Sequence, residues 1–452
     1  MSTLAFGKAM RDEPVTSVDQ LVALFRRSFK PVSRHRVGLE LEQLVVRPDG
    51  TPLPYAAAQG PSIRTLLERL GEAARLRPVV EERNLIGLEG AVGAVSLEPG
   101  GQVELSTVPV GNLHELATLT EEFMRRLRRV GQEIGARFIE QGYQPLARLE
   151  QAEWMPKERY RIMRAYLPSR GRLAHRMMTQ TAAVQCSFDF SDDADWQAKW
   201  RATHLLTPLV QAMFANSPFR NGRPIGFLSY RTRVWEQTDP ARCGLLPAAF
   251  DRDAAIEDYV EYALDVPMMF LVRKGRWISM QGHSFRRFMQ RGYEGTFPTT
   301  EDWGLHLSGI FTHVRLKSYI EVRAHDLVPL PLALAVPALW KGLLYDRQAL
   351  GAAVSLAGEM SHARALALMA RVARRGLGFV QAGRPLLEAA RDLTRLAAMG
   401  LKRQAQKRRD GQDESLYLRP LEELLARGVT PAEDLLGRYE REWKRDLRLS
   451  LI

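Results

Sequence analysis

The chain has 452 residues, 45% of them hydrophobic and 26% charged, with Lys plus Arg at 64 against Asp plus Glu at 52 and a net charge of +12. That is the composition of an ordinary globular protein, long enough to bury a large core. The two cysteines, Cys186 and Cys243, are too few for a disulfide scaffold, and with no Cys-x-x-Cys or Cys/His cluster a zinc site is not expected.

In chain order, Ser17–Phe29 opens on a capping pair, Ser17 with Gln20, and carries an apolar stripe, which predicts a helix. Arg36–Val46 (RVGLELEQLVV) alternates as a strand does and stops at the turn Pro48-Asp49-Gly50. A second amphipathic helix is expected over Ser62–Leu76, then glycine-punctuated sequence over Leu85–Val95. In SLEPGGQVELSTV, Pro99-Gly100-Gly101 predicts a tight turn between two carboxylates. Leu113–Ile139 reads as one long helix, Trp154–Leu167 as a polar-aromatic segment, and Thr181–Phe190 as a strand with Cys186 on its apolar face. Asp195–Ala215 is expected to be helical, and Asn216–Arg233 to be a proline/glycine loop running into a strand or helix start, with Asn216–Gly226 as a candidate lid. Strand material is expected at Leu264–Phe270 and Trp277–Ser279, and a last strand at Val314–Arg323. The remainder, through Tyr345–Met399 and Pro431–Leu447, reads as helix. The fold class expected is α+β in a single catalytic unit spanning 1–452, with a sheet-bearing core over 34–345 and a helical C-terminal region over 346–452.

Strand alternation sends Glu40 and Glu42 to the face opposite Leu39 and Leu41, and it separates Glu104 from Val103 and Glu321 from Ile320. Together with Glu98 these make five glutamates from three distant segments converging on one face. Clustered carboxylates resist ionising together, and hard divalent cations resolve that conflict. The pattern points to a metal-dependent enzyme that handles phosphate. Arg159, Arg164, Arg231, Arg233 and Arg323 supply planar forks suited to carboxylates and phosphates. There is no G-x-x-x-x-G-K-[ST] loop, no dinucleotide fingerprint and no G-x-S-x-G elbow. The basic runs Met124–Val130 and Leu401–Gly411 read as solvated helix faces or loops, and the dispersed arginines argue against a nucleic-acid partner. Leu327–Trp340 is too short and too rich in proline to span a membrane. Residues 1–14 show no secretory signal, and a cytoplasmic enzyme is the default expectation.

VGLELEQ, SLEPGGQVELS, MPKERYRIMRAYLP, MMTQTAAVQCSFDF, FANSPFRNGRPIGFLSYRTRVWEQTD, YALDVPM and VRLKSYIEVRAHD carry a resemblance. From about Val37 to Glu442 the chain resembles the plant and proteobacterial type of glutamate–cysteine ligase (γ-glutamylcysteine synthetase). The resemblance implies a glutamine-synthetase-like antiparallel sheet forming a bowl, with helices outside. It implies ATP and Mg2+, activation of the γ-carboxylate of glutamate as an acyl phosphate, and attack by the amine of cysteine, the first step of glutathione biosynthesis. It also implies that Glu40, Glu42, Glu98, Glu104 and Glu321 are magnesium ligands, and that Arg159, Arg231 and Arg233 bind substrate. Arg231 or Arg323 would stabilise the transferred phosphoryl group. Met269 stands where the family commonly has a tyrosine associated with the cysteine pocket, so a ligase of the same fold that uses a different amine is the alternative. Ala324 and His325 depart from the family's MRGAD stretch, and the regulatory cysteine pairs of the plant enzymes have no equivalent. Small-molecule substrates and a monomer or homodimer are expected.

Overall fold

The structure is a computed structural model that describes residues 12–280 and 282–452. Most of the N-terminal stretch inspected for a signal therefore lies outside the described residues. The centre is a nine-stranded sheet of β1 (Val37–Val46), β2 (Arg77–Glu81), β3 (Asn84–Gly90), β4 (Gly93–Leu97), β5 (Val103–Thr107), β6 (Arg137–Ile139), β7 (Ala183–Phe188), β8 (Val314–Leu316) and β9 (Ile320–Asp326). Its order is β8-β9-β7-β1-β5-β4-β3-β2, with β6 also on β1, and every pairing is antiparallel.

Register sorts the side chains. Glu42 stands opposite Glu104, Glu40 opposite Gln185, Ser96 opposite Glu104, and Glu321 opposite Ser187. Directly opposed residues share a face, so polar groups from five strands are gathered on one side. Leu39, Leu41, Val95, Leu105, Val184, Cys186 and Val322 are buried on the other. There the helices Leu113–Glu133 and Leu330–Leu344 pack, and the same hydrophobic cluster runs on to Leu393 and Leu421 in the C-terminal third. The buried Glu414 carboxylate accepts from the Leu113 backbone N–H and pairs with Lys341, tying that third to the core.

Several expected elements are corrected. The long helix stops at Glu133, because Gly135 takes φ +81° and lets the chain turn into β6. The glycine-punctuated stretch is two strands, β3 and β4. Leu264 lies in the last turn of the helix Ile256–Asp265, and strand begins only at Phe270. The last strand is a hairpin, with residues 317–319 as its turn. The C-terminal helix breaks into Arg347–Ala357, His362–Arg375 and Leu386–Gln404, the first two ending at Gly358 and Gly376 with positive φ. The base of the candidate lid is fixed: Asp326 accepts from the Asn216 backbone N–H (2.8 Å) and the Ser217 hydroxyl (2.6 Å), and both residues are buried.

Candidate active site

The polar face of the sheet floors a cavity of about 790 Å3. Glu40 and Glu42 reach it from β1, Glu104 from β5 and Ser96 from β4, while Glu98 comes from the turn after β4. That turn is built as the sequence predicts. The Glu98 N–H donates to Gln102 O (2.9 Å), the Gly101 N–H donates to Glu98 O (3.0 Å), and Gly101 takes φ +83°. Gln102 fixes the turn to the chain beside it by donating to Thr181 O (2.8 Å) and Met178 O (3.3 Å). The Lys157 ammonium (2.8 Å) and the Tyr160 hydroxyl (2.6 Å) both donate to Leu97 O from the opposite side.

Four of the five predicted glutamates thus line one cavity, and their electrostatics are those of an under-neutralised cluster. Burial, then the charges of Glu321 and Glu104, push the Glu40 carboxyl up to about 7. Burial, Glu104 and Glu98 hold Glu42 well above the usual carboxylate range, and burial with Glu98 raises Glu104. The polar support is thin: Gln185 donates to Glu42 (3.0 Å) and Ser96 to Glu104 (2.8 Å). Such a cluster fits a hard divalent cation, which would supply the missing positive charge. Among the described residues no three His, Cys, Asp or Glu side chains already stand as a ready-made metal-binding group.

Glu321 is different. It is fully buried beneath the cavity and bound by Arg315 (2.7 Å), Lys317 (3.1 Å) and Arg323 (2.8 Å). Burial opposes its ionisation, yet these three cations hold its carboxyl well below the ordinary range. Arg323 lines the cavity from a bulge in β9, between Val322 and His325. Arg231 stands behind that bulge, buried. It donates to Arg323 O (3.1 Å) and Ala324 O (3.4 Å), and its guanidinium lies 5.6 Å from the ring centre of Trp235 in the cavity wall. Arg233 pairs with Glu236 (3.0 Å), Arg164 stacks on Trp154 (4.8 Å), and Met269 is buried; none of the three lines the cavity. Arg159 does line it, and among the described residues its side chain has neither an ion pair nor a hydrogen bond. Lys157, Tyr160, Arg315 and Lys317 went unnoticed in the sequence. The first two sit in the quoted MPKERY motif, and the last two in VRLKSYIEVRAHD, where only the turn at residues 317–319 brings them to Glu321.

A second cavity, of about 980 Å3, shares Glu40 and Ser96 with the first and is bordered by Lys30, Arg36, Ser106, Thr107 and Tyr319. Among the described residues no helix is long and apolar enough to cross a membrane.

The family model described as "Glutamate-cysteine ligase family 2 (GCS2)" matches residues 36–449. Glutamate–cysteine ligase B of Oryza sativa subsp. japonica, a chloroplastic protein, is 38% identical over 439 residues, covering 96% of this chain and 86% of that one. The chloroplastic glutamate–cysteine ligase of Arabidopsis thaliana is 39% identical over 435 residues, covering 95% and 81%. The crystal structure of a glutamate–cysteine ligase from Francisella tularensis, in complex with AMP, superposes with a TM-score of 0.54 at 13% identity over 93% of this chain and 89% of that one, a likeness of fold. The expectation of a cytoplasmic enzyme is corrected by the relatives, which are chloroplastic.

Proposed function

We propose that this chain, which belongs to the glutamate–cysteine ligase family, couples the γ-carboxylate of glutamate to the amine of cysteine, with conversion of ATP to ADP and phosphate, as a single catalytic unit acting as a monomer or homodimer. The product, γ-glutamylcysteine, is the first intermediate of glutathione synthesis. The observation that carries the reading is one cavity holding four glutamates, three of them (Glu40, Glu42 and Glu104) with carboxyls raised by burial and by one another's charge, together with a phosphate-suited Arg323 and an Arg159 side chain without an ion-pair or hydrogen-bond partner.

A carboxylate is a poor electrophile because its leaving group would be oxide. Transfer of the γ-phosphoryl group of ATP to the γ-carboxylate makes a competent leaving group, and loss of phosphate on attack by the amine completes the amide. The protein's work is alignment, charge compensation and exclusion of water. Glu40, Glu42, Glu98 and Glu104 would hold magnesium, which would offset the charge on the phosphate oxygens. Glu321 supports this set by organising Arg315, Lys317 and Arg323. Arg323 faces the transferred phosphoryl group, and Arg231 braces the bulge that aims it. Arg159 receives a substrate carboxylate. The neighbouring cavity, which shares Glu40 and Ser96 with the first, takes the nucleotide.

The test is incubation with ATP, magnesium, glutamate and cysteine, with the product identified by mass. Glu98→Gln is expected to remove ligase activity while the melting temperature stays within a few degrees of wild type, because Glu98 sits in a turn and the substitution relieves repulsion. Full activity in that variant at ordinary magnesium would reject the ligand assignment.

A further inference from the structure

The arginines of this site differ in what they already hold. Arg315 is committed to Glu321 and to the carbonyls of Ser308 and Ile310, and Arg323 to Glu321. Arg231 is committed to two backbone carbonyls. Arg159 touches aromatic rings instead. Its guanidinium carbon lies 5.4 Å from the centre of Phe270 and 6.0 Å from that of Tyr160, and its buried Nε has no hydrogen-bond partner.

An arginine side chain carries about 2 kcal/mol of rotamer entropy, so a receptor arginine needs something to hold its plane. A carboxylate partner would do this by occupying the N–H fork that the substrate requires. An aromatic face holds the cation through its π system and leaves the N–H edge free. Neither ring beside Arg159 competes for its donors. Phe270 has no polar atom, and the Tyr160 hydroxyl is directed to Leu97 O.

Phe270 is itself well supported. It begins the two-stranded hairpin Phe270–Arg273/Arg276–Ser279, which lies outside the main sheet, and it is buried. Trp277 on the returning strand meets its ring edge-on, at 5.0 Å and 82°. At the far end of the strand that Phe270 begins, Arg273 makes a two-point bridge to Asp302 (2.6 and 2.7 Å), which anchors the hairpin to the helix Thr300–Leu307.

We propose that Phe270 is a positioning residue for substrate recognition: its ring, set by this hairpin, holds the Arg159 guanidinium flat with its N–H edge open to the carboxylate of an amino-acid substrate. The inference rests on the reading of Arg159 as that receptor. It makes the hairpin a determinant of amino-acid affinity and leaves nucleotide binding to the sheet.

The experiment is steady-state kinetics on the full chain with glutamate, cysteine and ATP varied in turn. Phe270→Leu and Phe270→Met fill the volume without a π face, Phe270→Tyr keeps the ring, and Arg159→Ala removes the receptor. Loss of the cation–π contact is expected to raise the KM of one amino acid about 3- to 30-fold in the Leu and Met variants. The KM for ATP and kcat should stay near wild type, and the Tyr variant should restore the amino-acid KM. A purely structural role would instead move the melting temperature, kcat and all three KM values together, and that result overturns the proposal. If Arg159→Ala raises an amino-acid KM while both ring-less variants leave it unchanged, Phe270 has no positioning role although the receptor reading stands. If Arg159→Ala leaves both amino-acid KM values unchanged, the receptor reading falls and the inference with it.

Discussion

At the scale of single residues, the site is defined by which charges are paired. Glu321 meets three cations and is locked; Glu42 and Glu104, directly opposed on neighbouring strands, meet each other. Opposed like charges on a sheet are destabilising, and burial magnifies the effect. Glu104→Gln keeps an acceptor for the Ser96 hydroxyl and removes the repulsion. The metal-free variant is therefore expected to melt a few degrees higher than metal-free wild type. Magnesium should raise the melting temperature of wild type and raise that of the variant less, and ligase activity should fall. A lower melting temperature in the metal-free variant would show that Glu104 is held by favourable contacts instead. Alternation in the sequence revealed that these carboxylates share a face, because the side-chain period of a strand is fixed. It did not reveal that Glu321 is neutralised from below, because Arg315 and Lys317 reach it only after the chain turns back at residues 317–319.

At the scale of elements, the turn that carries Glu98 has no slack. A Cβ on Gly100 would lie 2.3 Å from Thr179 O and 2.6 Å from Thr179 Cα, backbone atoms that cannot rotate away. Gly100→Ala is expected to cost about 1–3 kcal/mol of stability by overpacking and to lower kcat by displacing Glu98. Gly351, in the helix Arg347–Ala357 with nothing within 4 Å of its added Cβ, is the control. Gly351→Ala should stabilise by about 0.5–1 kcal/mol. Urea unfolding of both variants checks the pair, and equal effects would refute the packing argument. The turn itself was legible, since Pro-Gly-Gly between two alternating segments admits little else. The helix end at Glu133 had a signal in Gly135, but the strand after it was not legible, because Arg-Phe-Ile continues an apolar helical stripe as readily as it starts a strand. Pairing with Leu44–Val46 decides it, and that partner is distant in sequence. The returning strand of the hairpin at Phe270 was expected at Trp277–Ser279, but the role of Phe270 was hidden for a similar reason: it lies in a ring placed over an arginine more than a hundred residues earlier.

At the scale of the whole molecule, the surplus of positive charge does not form a binding face in the regions where it is densest. Arg126, Arg128 and Arg129 pair with Glu122, Glu140 and Glu133, and Arg403 and Arg408 pair with Asp346 and Asp410. Histidines enclosed in the core give the response to pH one component of known sign. His204 is sealed in the helix Asp193–Met213, its ring against Trp200 at 4.5 Å, and burial pushes it from 6.5 down to about 3. His306, stacked on Phe285 and donating to Ala263 O (2.7 Å), is pushed by burial to about 4. In the unfolded chain both take up a proton near 6.5, whereas in the folded chain they resist it. Between about pH 6.5 and 4 the unfolded state therefore binds more protons, and stability present above 6.5 is lost as pH falls, by up to about 1.4 kcal/mol per pH unit for each such group. His204→Phe keeps an aromatic ring against Trp200 and cannot titrate. Between pH 7 and pH 4.5 the urea midpoint of wild type should decline relative to that of the variant, because only wild type carries the His204 component. Parallel curves would mean that His204 is protonated in the folded state, which would require a water path or an acidic partner reaching a side chain that the fold encloses completely.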